Sequence, residues 1–359
     1  MKKILLLSGY DASSHKYWRN TIVESLPEYE WIQLSLPDRY FSWRMRSNSL
    51  SFAQKIAQLP DSDFELLIVT SMVDLSALRG FVPSLVGVPT IMYFHENQFV
   101  YPISKEQPNI LNNQLTSIYS AICADNLVFN SQYNLETFLA GAQNLVKKMP
   151  DGIEHSWIKK LAEKSGVLAV PISVKVSHRN EHLTPEIPTI LWNHRWEYDK
   201  QPEVFFKAME KLISRNIKFK IKVLGQSFRQ SPSCFEEAEE NLSPYIANWG
   251  YLSRAEYLNA LETSTIVVSA AIHEFQGLSM MEAIASGCTP VAPARLVYPE
   301  YIPSELLYEP ATEIESESAN LAGLLAHLID RKNYPQVSVN KYSSEVLIPQ
   351  YKSLIENML

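Results

Sequence analysis

At about 150 residues per domain, a chain of 359 residues divides into two domains. With 46% hydrophobic and 20% charged residues it has globular proportions, which exclude a disordered, collagenous or coiled-coil chain. A formal charge of −7 excludes a global positive field, so a polyanionic partner would need a local patch or a helix dipole.

In chain order, Lys3–Ser8 reads as a buried first strand. Its apolar run is too short for a signal peptide and stops at Ser8-Gly9-Tyr10-Asp11 with no cleavage-like stretch. A helix follows from about Ser14. Strands are expected at 31–36, 64–69, 90–94, 126–129 and 166–170, with helices at 110–124 and 132–145. Residues 171–188 hold three prolines, two histidines and several charges, and 172–188 read as an interdomain linker. A second series has strands at 189–192, 218–224, 246–249, 265–269, 289–292 and 306–308. Its helices fall near 202–214, 254–262, 277–286 and 319–330. Residues 343–359, with an amphipathic helix from Ser344, end the chain. Runs of Ile, Leu and Val without strict alternation fit strands covered on both faces. Strand–helix alternation predicts two parallel, doubly wound α/β domains, 1–171 and 189–342, facing one cleft. Ligands in such sheets bind beyond the carboxyl ends of the strands, which directs attention to the loops there. No run approaches eighteen apolar residues, so no membrane span is expected. Cys123, Cys234 and Cys288 form no CxxC pair, which suggests neither a disulfide framework nor a zinc site, and a reducing cytoplasm is expected.

The densest chemical signal lies in Ala271–Val291. A strand runs into a loop, and Gly277 opens a helix whose free N–H groups and dipole can hold an anion, the dipole adding roughly 0.3–1 kcal/mol. Glu274 precedes that helix start and Glu282 follows it inside the helix. Carboxylates repel phosphate but accept strongly from sugar hydroxyls, so the chemistry that fits is a phosphate at the helix tip with a sugar on each side. Two acidic residues with seven between, followed by Gly287-Cys288-Thr289-Pro290-Val291, resemble the signature of family 4 glycosyltransferases of the GT-B fold. In that family the first carboxylate binds the donor sugar, the second the ribose, and the backbone between them the diphosphate. The resemblance gives these roles to Glu274, Phe275, Gln276, Gly277, Leu278 and Glu282. It also implies that Arg195 and Lys200, after the strand at 189–192, bind the diphosphate, where fixed cations would stabilise the leaving group at about 1.5–3 kcal/mol per charged hydrogen bond. These cations can stand in for a metal, so no metal and no cofactor beyond the nucleotide-sugar co-substrate are expected. Gly225, Tyr251 and Leu252, at two further strand ends, match family positions that contact the base.

Four N-terminal loops follow predicted strands: 8–16, 37–46, 93–102 and 129–134. Ser14-His15-Lys16, Trp43-Arg44-Met45-Arg46, Phe94-His95-Glu96-Asn97-Gln98 with Tyr101-Pro102, and Phe129-Asn130-Ser131 with Asn134 resemble the tRNA-queuosine mannosyltransferase branch of that family. Asp11-Ala12-Ser13-Ser14-His15 departs from its usual Gly-Gly-Ser-His form. The resemblance implies transfer of mannose from GDP-mannose to queuosine in tRNA, with retention. Ser14, His15, Lys16, Trp43, Arg44, Arg46, Glu96, Asn97, Gln98, Asn130 and Ser131 would then serve the acceptor, and His95 would join Glu274, Arg195 and Lys200 in the catalytic set. Arg39–Arg46 mixes cations with Tyr40, Phe41 and Trp43, which can bind phosphate and stack on bases; Lys147-Lys148 and Lys159-Lys160 form a second basic region. The acidic net charge keeps a lipid, saccharide or small-metabolite acceptor open, and fold alone leaves open a binding protein without turnover. Asp61-Ser62-Asp63 precedes a strand rather than ending one and reads as a turn, not a metal site.

Overall fold

The computed structural model describes residues 1–61, 63–101, 110–150, 154, 156–173, 185–227 and 231–359. The chain forms two compact units, one of Met1–Pro171 with Ser344–Leu359 and the other of Ile172–Ser343. Most of the 172–188 stretch lies outside the described residues, as does Pro102 of the Tyr-Pro pair.

In the first unit, strands β1 (Lys3–Ser8), β2 (Glu30–Ser35), β3 (Leu66–Thr70), β4 (Thr90–Phe94), β5 (Asn126–Phe129) and β6 (Ser165–Val167) form a parallel sheet in the order β2-β1-β3-β4-β5-β6. Helices α1 (Ser13–Ser25), α2 (Phe41–Ile56), α3 (Leu75–Phe81), α4 (Ile110–Cys123), α5 (Gln132–Val146) and α6 (Ser156–Glu163) connect the strands. Ile4 to Leu7 have no exposed surface because β1 is paired on both edges and covered on both faces. Each such side chain contributes about 1.5–3 kcal/mol by leaving water. The edge strand β2 is only partly buried, which explains its polar Glu30, Gln33 and Ser35.

In the second unit, β7 (Thr189–Asn193), β8 (Lys220–Leu224), β9 (Ile246–Gly250), β10 (Ile266–Val268), β11 (Thr289–Pro293) and β12 (Leu307–Tyr308) form a parallel sheet in the order β12-β11-β10-β7-β8-β9. Its helices are α7 (Pro202–Ser214), α8 (Cys234–Asn241), α9 (Arg254–Glu262), α10 (Leu278–Ala285) and α11 (Ile314–Asp330). Helix α12 (Ser344–Glu356) belongs to the first unit. It is held there by Tyr351, whose hydroxyl accepts from Trp18 Nε1 at 3.0 Å and lies 3.0 Å from Tyr93 Oη and 2.9 Å from Ala169 O.

One reading is corrected. The 37–46 stretch is not a loop through to Arg46: Phe41 opens α2, so Trp43, Arg44 and Arg46 lie in its first two turns. The cap is Tyr40 at φ +59°, a left-handed position without a capping side chain, and the core face carries Asn48 and Ser49 beside Met45, Phe52 and Ile56. Neither the start signal nor an unbroken apolar stripe was present in the residues.

Candidate functional site

The loop between β10 and α10 is built around one carboxylate. Glu274 Oε1 accepts the backbone N–H groups of Phe275, Gln276 and Gly277 at 3.1, 3.4 and 3.0 Å. Gly277 caps α10 at φ +78°, and a Cβ there would stand 2.6 Å from Tyr301 Oη, so only glycine allows this turn. Lys200 Nζ, buried at the end of a short turn after β7, lies 3.3 Å from Glu274 Oε2 and 3.2 Å from Asp199 Oδ2, and donates to His273 O at 2.7 Å. Burial disfavours the ammonium, but Glu274 and Asp199 outweigh it and raise the lysine pKa. Burial likewise opposes the Glu274 carboxylate, but Lys200, His194 and the loop amides hold its pKa at about 2. His194 and His273 are depressed to about 4 by burial and by Lys200, so both are neutral at pH 7. The loop is thus a fixed array of charges in a dry setting, the arrangement that stabilises developing charge.

A second network fixes Glu282, one and a half turns into α10. Arg254 donates to its Oε1 at 2.8 Å and Tyr257 to its Oε2 at 3.2 Å. Asn193, the last residue of β7, donates to Tyr257 Oη at 3.1 Å and to Ser279 O at 2.9 Å, which ties β7, α9 and α10 together. Gly225, after β8, lies under the β7 loop: a Cβ there would stand 1.9 Å from His194 O. Arg195 is more exposed and pairs with Glu197 at 2.9 Å. Tyr251 is 77% exposed, Leu252 follows it, and both precede α9. Phe275 and Gln276 are buried and Leu278 is the first residue of α10. The structure therefore brings Lys200, Glu274 and the α10 start into one array and seats Glu282 on the same helix, while Tyr251 faces solvent. Asp199, His194, Arg254 and Tyr257 went unremarked in the sequence; their only signal was adjacency to Arg195 and Lys200 or to Tyr251.

Beneath the β10–α10 loop, Arg295 donates to Ala270 O and Ala271 O at 2.8 and 2.9 Å and forms a two-pronged pair with Glu317 at 2.7 and 3.0 Å. Glu317 is 2% exposed, so the strand end that launches the loop is anchored by a buried, fully bonded ion pair.

In the first unit, His15 of α1 and His95 after β4 stack at 4.0 Å, with Trp18 and Tyr93 edge-on to His95. Burial depresses His15 to about 4 and His95 well below its ordinary value, so both rings are neutral. His15 Nδ1, His95 Nε2 and Ser8 Oγ, all buried, find no hydrogen-bond partner among the described residues. Such atoms cost about 1–3 kcal/mol each, which marks this end of β1 and β4 as a place where a ligand's polar group would fit. Ser14 and Lys16 are exposed on the first turn of α1.

The remaining acceptor candidates divide. Asn97 Nδ2 donates to Asn134 Oδ1 at 2.9 Å, Asn134 to Asn130 Oδ1 at 2.8 Å, and Asn130 to His95 O at 2.8 Å. Ser131 caps α5 by accepting from Asn134 N at 3.0 Å. Asn97, Asn130 and Ser131 therefore brace the loop that carries His95. Glu96 is half-buried and accepts from Tyr101 Oη at 3.2 Å; Gln98 is buried, its carbonyl bonded to Gln114. Arg46 reaches Asp74 at 3.2 Å and Thr116 Oγ1 at 3.2 Å, Arg44 is half-buried, and Trp43 stands out at 77% exposure. No helix of the described residues is long and apolar enough to cross a membrane.

Comparison with known proteins agrees with this architecture. Residues 3–172 match the family described as tRNA-queuosine alpha-mannosyltransferase N-terminal, and 175–334 match glycosyl transferases group 1. A tRNA-queuosine alpha-mannosyltransferase of Drosophila melanogaster is 32% identical over 97% of this chain and 95% of its own. Among solved structures, a sucrose-phosphate synthase from Thermosynechococcus elongatus superposes with a TM-score of 0.76 at 15% identity, covering 99% of both chains. The HepE protein of Anabaena, in complex with UDP and glucose, gives a TM-score of 0.64 at 11% identity over 99% of this chain and all of that one. The two six-stranded parallel sheets and the 32% identity along nearly the whole length place this chain in the tRNA-queuosine alpha-mannosyltransferase family, glycosyltransferases of the GT-B fold.

Proposed function

We propose that this enzyme moves mannose from GDP-mannose to the cyclopentenediol of queuosine in tRNA, with retention at the sugar carbon and in the cytoplasm. The observation that carries the donor half is the Lys200–Glu274 pair at the start of α10. Family membership carries the acceptor half.

On this reading the α10 start and Lys200 neutralise the diphosphate as the glycosidic bond breaks, with Arg195 turning from Glu197 toward it. Glu274 accepts from hydroxyls of the sugar and Glu282 from those of the ribose. The acceptor hydroxyl attacks on the face the diphosphate leaves, and the departing phosphate oxygen takes its proton. Oxygen–carbon bond formation thus balances carbon–oxygen cleavage without a protein carboxylate as nucleophile. His15 and His95, neutral and with ring nitrogens to spare, hold the acceptor diol or the sugar in place. The protein supplies position and charge, and the reading needs neither a metal nor another cofactor.

The test is incubation with GDP-mannose and queuosine-containing tRNA, followed by electrophoresis of the tRNA and mass spectrometry of its nucleosides. A hexose on queuosine is the expected result. No transfer with GDP-, UDP- or ADP-sugars would overturn the reading; transfer to a lipid or saccharide acceptor alone would replace its acceptor half.

A further inference from the structure

From Arg39 to Pro60 this acidic chain has no Asp or Glu and has four cations, Arg39, Arg44, Arg46 and Lys55. Helix α4, which packs against α2, has no charged residue. The α2–α4 face is therefore a local positive island, with Asp38 at its edge beside Arg39 and the buried Asp74 paired with Arg46 beneath it.

That island carries aromatic and apolar surface turned to solvent. Tyr40 is 71%, Trp43 77% and Leu50 59% exposed, and Tyr119 of α4 is 46% exposed. Trp43, Arg46 and Leu50 recur at helical spacing, opposite the buried Met45, Ser49 and Phe52. Arg46 bonds Thr116 of α4, one turn from Tyr119, so the two helices present one surface. The Arg39 guanidinium sits 5.8 Å over the Tyr40 ring. Large side chains left in water at helical spacing have no part in the core and call for a partner.

We propose that this face is a stacking platform for unpaired bases of an RNA loop, with Trp43 and Tyr40 against the bases and Arg44 and Arg46 against the phosphates. Interleaved aromatics and cations suit single-stranded RNA, whose bases offer flat faces and whose backbone offers charge; an apolar protein surface would leave Arg39 and Arg44 unmatched. The inference rests on the queuosine-tRNA reading and deepens it by naming where the RNA lies.

The experiment measures KM and Kd for queuosine-containing tRNA and KM for GDP-mannose in the wild type, Trp43→Ala, Trp43→Phe and Arg44→Ala/Arg46→Ala. Trp43→Ala is expected to raise the tRNA KM and Kd at least fivefold, Trp43→Phe to restore most of that, and the GDP-mannose KM to hold within twofold. The double arginine variant should weaken binding and lower the salt slope by about one to two. A tRNA KM and Kd within twofold of wild type in Trp43→Ala would overturn the platform while leaving the mannosyltransferase reading intact. So would loss of self-association or of binding to anionic vesicles in that variant with tRNA affinity unchanged. Absence of transfer in the wild type would instead sink the reading beneath it.

Discussion

Replacing Lys200 by methionine tests whether charge holds the β10–α10 loop. The ammonium is 3.2 Å from Asp199, 3.3 Å from Glu274 and 2.7 Å from His273 O, and Lys200 is 7% exposed. Methionine keeps most of the stem and removes the charge. Two carboxylates then lose their partner, and breaking a buried pair costs about 3–5 kcal/mol. Glu274 titrates at about 2 rather than 4.5, held there against burial by Lys200 together with His194 and the loop amides. A carboxylate with a depressed pKa stabilises the fold above its unfolded value, here 4.5, and the contribution is lost as pH falls toward 2. Lys200→Met should therefore be about 3 kcal/mol less stable than wild type at pH 7, with the gap closing between pH 4.5 and the acid limit of the fold. Calorimetric melting of both proteins across that range measures it. No gap at neutral pH, or one that persists undiminished near pH 3, would refute the assignment. In the transfer assay the variant should lose about 10- to 150-fold in kcat, as expected for one charged hydrogen bond to the leaving group.

Three other outcomes follow from the packing. Gly225→Ala forces a Cβ to within 1.9 Å of His194 O, so either the β7 or the β8 loop must move; donor KM should rise and the melting temperature fall together, as thermal melts with and without GDP would record. Tyr351→Phe leaves Trp18 Nε1 and the Tyr93 hydroxyl short of a partner in the core and should cost about 1–3 kcal/mol in urea unfolding without altering donor affinity. His15, neutral in the fold down to about pH 4 but titrating near 6.5 when unfolded, makes the native state less stable as pH falls between those values. His15→Phe should lessen the slope of the wild-type stability profile over that window, with His95, His194 and His273 keeping their own shares, and an unchanged profile would place the acid sensitivity elsewhere.

Much of the fold was legible because parallel strands buried on both faces announce themselves as unbroken apolar runs. Lys3–Ser8 and Thr90–Phe94 match their observed bounds to the residue, and Pro202–Ser214 opens with the proline that favours a first helical turn. Helices α3 and α6, at seven and eight residues, are too short for a periodic pattern to rise above noise, and α8 with its four glutamates reads as a solvated turn. The site was legible in part for a different reason. Glu274, Gly277 and Glu282 lie close together on one loop and helix, so their spacing is a chemical statement in one dimension. Asp199, Tyr257 and Arg295 act across strands far apart in sequence, and only the sheet order brings them around the β10–α10 loop and its helix. Asn97 and Asn130 show the reverse: polar residues at a strand end resemble ligands, yet their amides are taken up in bracing the backbone.

The groups of the β10–α10 loop already satisfy one another, and that sets what a ligand must do. A phosphate that takes the amides of Phe275 to Gly277 must displace Glu274 Oε1, which accepts from all three. The displaced carboxylate loses charged hydrogen bonds worth about 1.5–3 kcal/mol each unless new donors replace them. Hydroxyls of the sugar are such donors; a bare nucleoside diphosphate has none at that position. On the proposed donor role, binding of the phosphate and of the sugar would be coupled through a single side chain, and the free nucleotide product would be released more readily than the substrate. Glu274→Gln tests this coupling, because the amide keeps an oxygen for the loop but holds it without charge. The expected result is tighter binding of GDP, little change for GDP-mannose, and an affinity gap between the two that narrows by about tenfold, read by calorimetric titration alongside loss of transfer. If the gap is the same in Glu274→Gln as in wild type, the carboxylate does not link the two halves of the donor, and discrimination between substrate and product must arise at another contact.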